Sequence, residues 1–93
     1  MRKSEEKWLD AITEVGCIAC HVEGFNYSPA EPHHILSGGR RIGHLFTIPL
    51  CSLHHRSGRN DEEIVSRHPN KRAFEKRYGT EAELLALTRR MVK

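Results

Sequence analysis

The sequence predicts an α+β fold: a strand–loop–strand–helix core, internally crosslinked, with flanking helices. Three observations predict it. Only 38% of the 93 residues are hydrophobic and 6% aromatic, so the apolar core is modest, and chains this small commonly need a staple. Three cysteines cannot all pair with one another; two form Cys17-x-x-Cys20 and the third opens Cys51-x-x-His54. Strand-like runs lie between these two half-sites, and helix-period patterns lie outside them.

The chain opens on a helix. In "SEEKWLDAITEVG", Ser4 is the predicted N-cap, Glu5 and Glu6 suit the positive end of the helix dipole, and Gly16 ends it. Trp8, Ile12 and Val15 recur at i, i+4 and i+7 and form one apolar stripe. Cys17 to Ser28 reads as a metal-knuckle turn and loop that runs into the turn-rich "NYSPAEP". "HHIL" is then a short strand, "SGGRRIG" a glycine-bearing loop, and "HLFTIPL" a second strand with Pro49 at its end, where a missing N–H is tolerated. "CSLHHRSG" supplies one or two helical turns closed by Gly58.

Further helices are predicted downstream. "NDEEIVSRH" begins with the cap-type residues Asn60 and Asp61, and "PNKRAFEKRYG" sets Phe74 and Tyr78 one turn apart. "TEAELLALTRRMVK" opens on a Thr80–Glu83 capping box, carries a Leu84, Leu87 and Met91 stripe, and puts Arg89, Arg90 and Lys93 at its negative end. The expected organisation is one domain over residues 1–93. An N-terminal helix reaches residue 16, the knuckle and core span 17–58, and C-terminal helices span 59–93.

Composition narrows the functional classes. The N-terminus lacks the roughly 7–15-residue apolar stretch of a signal peptide, and nothing approaches the ~20 apolar residues of a membrane span. The expectation is a soluble, intracellular protein in a reducing compartment, where a cysteine–histidine inventory favours zinc over disulfides. The net charge of +3 is compatible with a polyanionic partner. Basic residues cluster in "GGRRIGH" and "SRHPNKRAFEKRYG", namely Arg40, Arg41, Arg67, Lys71, Arg72, Lys76 and Arg77.

Two half-sites, each with two ligands about three residues apart, are what tetrahedral structural zinc requires. Cys17, Cys20, Cys51 and His54 would hold that ion and tie the end of the first helix to the helix after the second strand. On a helix, positions three apart share a face, whereas His55 is rotated by roughly 100° and must serve something else. Cys51 with His55 at i+4 is the alternative register, and it swaps the two roles. On a strand, His33 and His34 leave opposite faces. They are therefore not two ligands of one ion: one binds metal and the other transfers a proton, provided the strand end twists enough to bring both to a substrate.

At these residues the sequence resembles the HNH endonuclease superfamily, whose ββα-metal core runs C-x-x-C, then H-H-I/V, an Asn-bearing segment, and L-C-x-x-C-H. The counterparts are "CIAC", "HHIL", "GHLFTIPL" and "LCSLHH", from Cys17 to His55, with His54 in place of the usual fourth cysteine. "SRHPNKRAFEKRYG" is similar to the tail of the phage recombination enhancement function (Ref) nucleases. The resemblance implies a small zinc-stabilised ββα-metal (HNH) core. It implies His33 and His55 as ligands of a catalytic divalent metal, magnesium or similar, and His34 as the general base. It also implies DNA as substrate, products with 5′-phosphate ends, and the RecA recombinase filament as a partner.

Arg40, Arg41, Lys71 and Arg72 would then grip the DNA backbone without reading sequence. The chain departs from the superfamily pattern at three positions. Phe46 stands where the central Asn is expected. His44, two residues earlier, takes its place, either bracing the loop or entering the active site. Arg59 occupies the position of a further usual ligand, and His68, which matches a histidine of the Ref tail, is the candidate replacement. The expected function is a metal-dependent HNH DNA endonuclease of phage or prophage type, acting in the cytoplasm of a bacterial host. The alternative is a non-catalytic, zinc-stabilised DNA-binding module.

Overall fold

The computed structural model describes residues 2–92. Helix α1 (Lys3–Val15) starts two residues earlier than a cap at Ser4 would allow. Arg2 holds the N-cap position, and its backbone N–H donates to the Glu5 carboxylate at 2.9 Å, so the acid in the first turn does the capping. Ile12 is fully buried, while Trp8 and Val15 are half-buried on the same stripe. The Trp8 indole N–H donates to Thr47 Oγ1 at 2.8 Å. Gly16 ends the helix with φ +82°; a Cβ there would meet the Tyr27 ring at 2.7 Å and the Ser28 carbonyl oxygen at 2.8 Å, so only glycine fits.

The turn expected at Cys17–Cys20 takes the form of a short helix. Cys17 caps a five-residue helix, α2 (Ile18–Val22), its sulfur accepting the Cys20 N–H at 3.4 Å. Strand β1 (Glu31–His34) begins two residues before the predicted "HHIL" and pairs antiparallel with β4 (Thr47–Leu50). Between them, β2 (Leu36–Ser37) and β3 (Arg40–Arg41) make a small hairpin, turned by Gly38 and Gly39 at φ +60° and +81°. Helix α3 (Ser52–Arg56) follows β4, giving the expected strand–loop–strand–helix order.

Pro49 lies inside β4, not at its end, and faces Pro32 directly across the ladder. The register explains why two prolines are tolerated. Ile35 N–H donates to the Phe46 carbonyl at 2.9 Å. Alternation along an antiparallel ladder then makes Pro32–Pro49 a non-hydrogen-bonded pair, whose nitrogens point away from the shared ladder.

Residues 60–68 are not helical, contrary to the cap signal at Asn60 and Asp61. The Asp61 carboxylate accepts the N–H groups of Glu63 and Ile64, both at 2.9 Å, while Asp61 N–H donates to the Ile64 carbonyl at 3.0 Å. These local bonds compete with a helical ladder and win. The chain reverses, Asn60 bridges Val65, and the segment returns to α3, where Arg67 N–H donates to the His54 carbonyl at 2.7 Å and His68 N–H to the His55 carbonyl at 3.1 Å. Helix resumes at α4 (Lys71–Tyr78) and α5 (Glu81–Met91). The Thr80–Glu83 capping box forms as predicted, with reciprocal bonds of 2.9 and 3.1 Å.

Ile12, Ile18, Ile48, Leu50, Phe74 and Leu84 are buried between these elements, and every residue of β4 is buried. The Phe74 and Tyr78 rings meet with centroids 4.9 Å apart, tilted by 53°, as their one-turn spacing predicts. Among the described residues, no helix is long and apolar enough to cross a membrane.

Candidate functional site

Two clusters of ligating side chains meet at α3, one on each side. In the first, Cys51 Sγ lies 3.1 Å from His54 Nδ1, Cys20 Sγ 3.5 Å and Cys17 Sγ 3.6 Å from the same nitrogen, and Cys20 and Cys51 sulfurs are 3.9 Å apart. A tetrahedron with metal–sulfur bonds of ~2.3 Å has edges of roughly 3.8 Å. The four donors therefore fit one zinc-sized ion, and the sulfurs are too far apart for a disulfide. Crowded together, the thiols cannot all ionise freely: the neighbouring Cys17 thiol lowers the Cys51 pKa, and Cys51 together with burial raises that of Cys17. A metal would remove that conflict by taking all three as thiolates. His54, 2% exposed, lies within this set and His55 does not, which is the i+3 arrangement of the two registers.

His55 turns away from the cysteines. Its ring centroid lies 5.0 Å from that of His33 and 5.5 Å from that of His68, and His33 and His68 are 5.5 Å apart. One nitrogen from each lies within 4.8 Å of the others, so these three could also hold an ion. Strand alternation separates His33, which is 2% exposed, from half-buried His34. His34 Nε2 instead meets His44 Nδ1 at 3.1 Å. Even so, His33, His34, Arg41, His55 and His68 all line one pocket of about 230 Å³. Burial, then the nearby Arg41 charge, lowers the His34 pKa below its ordinary value, which favours the neutral, proton-accepting form. Burial and then Arg67 act on His68 in the same direction.

Carboxylates stand behind two of the three converging histidines. Glu81 Oε2 lies 2.8 Å from His33 Nε2, and Glu81 Oε1 accepts from Arg67 Nε at 3.1 Å. Burial opposes the charge on Glu81, but the His33 hydrogen bond and Arg67 outweigh it and hold the carboxyl below its usual range. Glu31 Oε1 lies 2.6 Å from His55 Nδ1 and accepts from Arg56 Nε at 2.7 Å, and the Arg56 hydrogen bond leads in lowering its pKa. A cavity of about 610 Å³ lies on the other side, against the cysteine cluster. Its walls carry Phe25, Leu53 and Ile64, and its one imidazole, His54, is committed to the cysteines.

A family model described as recombination enhancement, RecA-dependent nuclease matches residues 3–93, a span that contains both clusters. The chain belongs to that family. No curated protein matches it.

In this member of the RecA-dependent nuclease family, the expected basic surface is only partly free. Arg40 and Arg41 are exposed on β3, and Lys71 and Arg72 are exposed at the start of α4. Arg67 is 8% exposed and engaged with Glu81. Arg77 donates to Glu23 at 2.6 Å and to the carbonyls of Asp61 and Glu63, and Arg59 pairs with Asp61 at 2.9 Å. These three arginines brace the fold instead of offering free charge. Glu31 and Glu81 are the site residues that sequence reasoning missed. Glu31 had a signal: it sits at i−2 from His33 on β1 and so shares its strand face. Glu81 had none, because 48 residues separate it from His33.

Proposed function

We propose that the chain is a metal-dependent DNA endonuclease of HNH type, with His34 as its general base. His33, His55 and His68 are the candidate ligands of the catalytic ion, and Cys17, Cys20, Cys51 and His54 those of a structural zinc. The observation that carries the reading is the convergence of a three-imidazole set and a separate histidine pair on one pocket, apart from the cysteine cluster. Structural zinc alone has no use for that second set. An all-imidazole set suits zinc or another nitrogen-preferring transition ion better than magnesium.

When bound, such an ion would supply charge neutralisation at the phosphate and the departing 3′ oxygen. The side chains do the rest. His34 accepts a proton from water as the water oxygen bonds to phosphorus and the bond to the 3′ oxygen breaks, leaving a 5′-phosphate. For His34 to receive that proton on Nδ1, its Nε2–H must donate to His44 Nδ1, 3.1 Å away. The contact with His44 holds the His34 ring in one orientation, which gives His44 a bracing role in place of the missing Asn. Arg41, on the pocket wall, and Arg40 beside it hold phosphate oxygens, with Lys71 and Arg72 extending the backbone contact. The RecA filament is the partner that would present the DNA.

The test is His34→Ala, assayed on DNA with and without RecA filaments. Cleavage should fall by about 10²–10⁴-fold, the usual worth of a positioned base, with zinc content and melting temperature unchanged. Undiminished cleavage removes His34 from its role. A wild-type protein that retains DNA but never cuts it, with any divalent ion and with filaments present, supports the non-catalytic DNA-binding module instead.

A further inference from the structure

We infer that Glu81 and Glu31 are positioning residues for the histidine set, each locked in place by its own arginine. The inference rests on the reading of His33, His55 and His68 as ligands of one ion. An imidazole can flip about its Cβ–Cγ bond and offer either nitrogen to a metal. A carboxylate on one ring nitrogen removes that freedom, because an ionised carboxylate only accepts, so the nitrogen it meets must carry the proton. Glu81 therefore assigns the proton of neutral His33 to Nε2 and leaves Nδ1 as its lone-pair nitrogen. Glu31 assigns the proton of neutral His55 to Nδ1 and leaves Nε2. The two rings are fixed in opposite tautomers by the same device.

Each carboxylate is held from behind. Arg67 Nε reaches Glu81 Oε1 at 3.1 Å, and Arg56 reaches both oxygens of Glu31, at 2.7 and 3.2 Å. The two arms differ in stiffness. The Glu81 and Arg67 side chains are 9% and 10% exposed, whereas those of Glu31 and Arg56 are 32% and 65% exposed. The fold anchors the buried arm at both ends: the Thr80–Glu83 capping box fixes where α5 begins, and the Arg67 backbone is tied to His54. Among the described residues no carboxylate hydrogen-bonds His68, whose ring packs beside the other two imidazoles. His68 is thus the unbraced member of the set.

The test uses the full chain with its structural zinc in place, titrated with Co²⁺. The weak d–d absorption of the added ion registers nitrogen ligation, and a thiolate charge-transfer band would expose any exchange into the cysteine cluster. Glu81→Gln should weaken Co²⁺ binding by about 10-fold or more, within the 10–100-fold range of second-layer carboxylates, and Glu31→Gln should weaken it less. Nitrogen-detected NMR of the His33 ring should show the Nε2–H tautomer in the wild type and a mixture in Glu81→Gln. Adding Arg67→Gln to Glu81→Gln should cost little more, since Arg67 acts through the carboxylate. Zinc content should stay unchanged throughout.

Co²⁺ affinities within about twofold of wild type in both glutamine variants overturn the inference while sparing the ion site. A weakened affinity with an unchanged His33 tautomer and lost zinc also overturns it, because the pair would then be merely structural. A wild-type chain that takes up no second ion overturns the ion reading itself and this inference with it.

Discussion

Single atoms decide how the proposed base is held. Thr47 is fully buried, accepts the Trp8 indole N–H at 2.8 Å and donates to the His44 carbonyl at 2.9 Å. One hydroxyl thus links α1 to the residue that contacts His34. Thr47→Val keeps the shape and deletes both bonds. It should destabilise the fold by about 1–3 kcal/mol, the cost of leaving a buried donor unpaired, and lower cleavage further by freeing His44. Chemical denaturation and cleavage rates measured on the same preparation check both parts; unchanged values in both would remove Thr47 from the site. Much of this scale was legible beforehand. The i+3 spacing of Cys51 and His54, and the divergence of His54 from His55, follow from helix geometry alone. Contacts such as Thr47 with Trp8, 39 residues apart, leave no local pattern to read.

Among the elements, the segment from Asn60 to His68 departs most from expectation, and its departure matters for the site. A helix there would have projected its side chains at 100° intervals; the Asp61 turn instead sends the backbone back along α3 and delivers His68 beside His33 and His55. Cap-type residues were present, but they closed a turn, because no apolar stripe followed to reward a helix. The capping box at Thr80 was followed by such a stripe, and it formed. The Ile64 N–H leads in pulling the Asp61 pKa down to about 2, with Arg59 adding to it. A depressed carboxyl pKa contributes stability above its unfolded value, near 3.8, and loses it as pH falls toward about 2. The melting-temperature gap between wild type and Asp61→Ala should therefore be flat near neutral pH and close between about pH 4 and 2. Asp61→Asn, which keeps an acceptor for both N–H groups, should recover part of the gap. A gap that persists at pH 2 would show that the carboxylate charge is not what holds the turn.

Across the whole molecule, the cysteine–histidine cluster joins α1 and α2 to β4 and α3, sequence regions that a small core holds weakly. Structural zinc contributes about 10–16 kcal/mol of apparent binding free energy in small domains, comparable to the ~5–15 kcal/mol total stability of a native protein. Stripping zinc should abolish the cooperative thermal transition. The histidine set, which has no thiolate among its donors and leaves His68 exposed, should yield its ion first: a mild chelator should stop cleavage with the far-ultraviolet circular dichroism intact, and only a strong one should unfold the chain. A single step, with activity and structure lost together, would refute two separate ions. The strand–loop–strand–helix order and the two cysteine half-sites were legible because spacing encodes them, whereas His33, His55 and His68 were expected as a set only through the family resemblance. The carboxylates behind the histidines were not, because they arrive from β1 and α5 through tertiary packing.

The facing prolines at 32 and 49 carry a last implication. An open strand edge is a template on which a foreign segment can hydrogen-bond and grow an aggregate. Every residue of β4 is buried, so the β1 edge is the one a foreign segment could approach, and there exposed Pro32 withholds an outward donor. Backbone pairing along that edge is thereby discouraged.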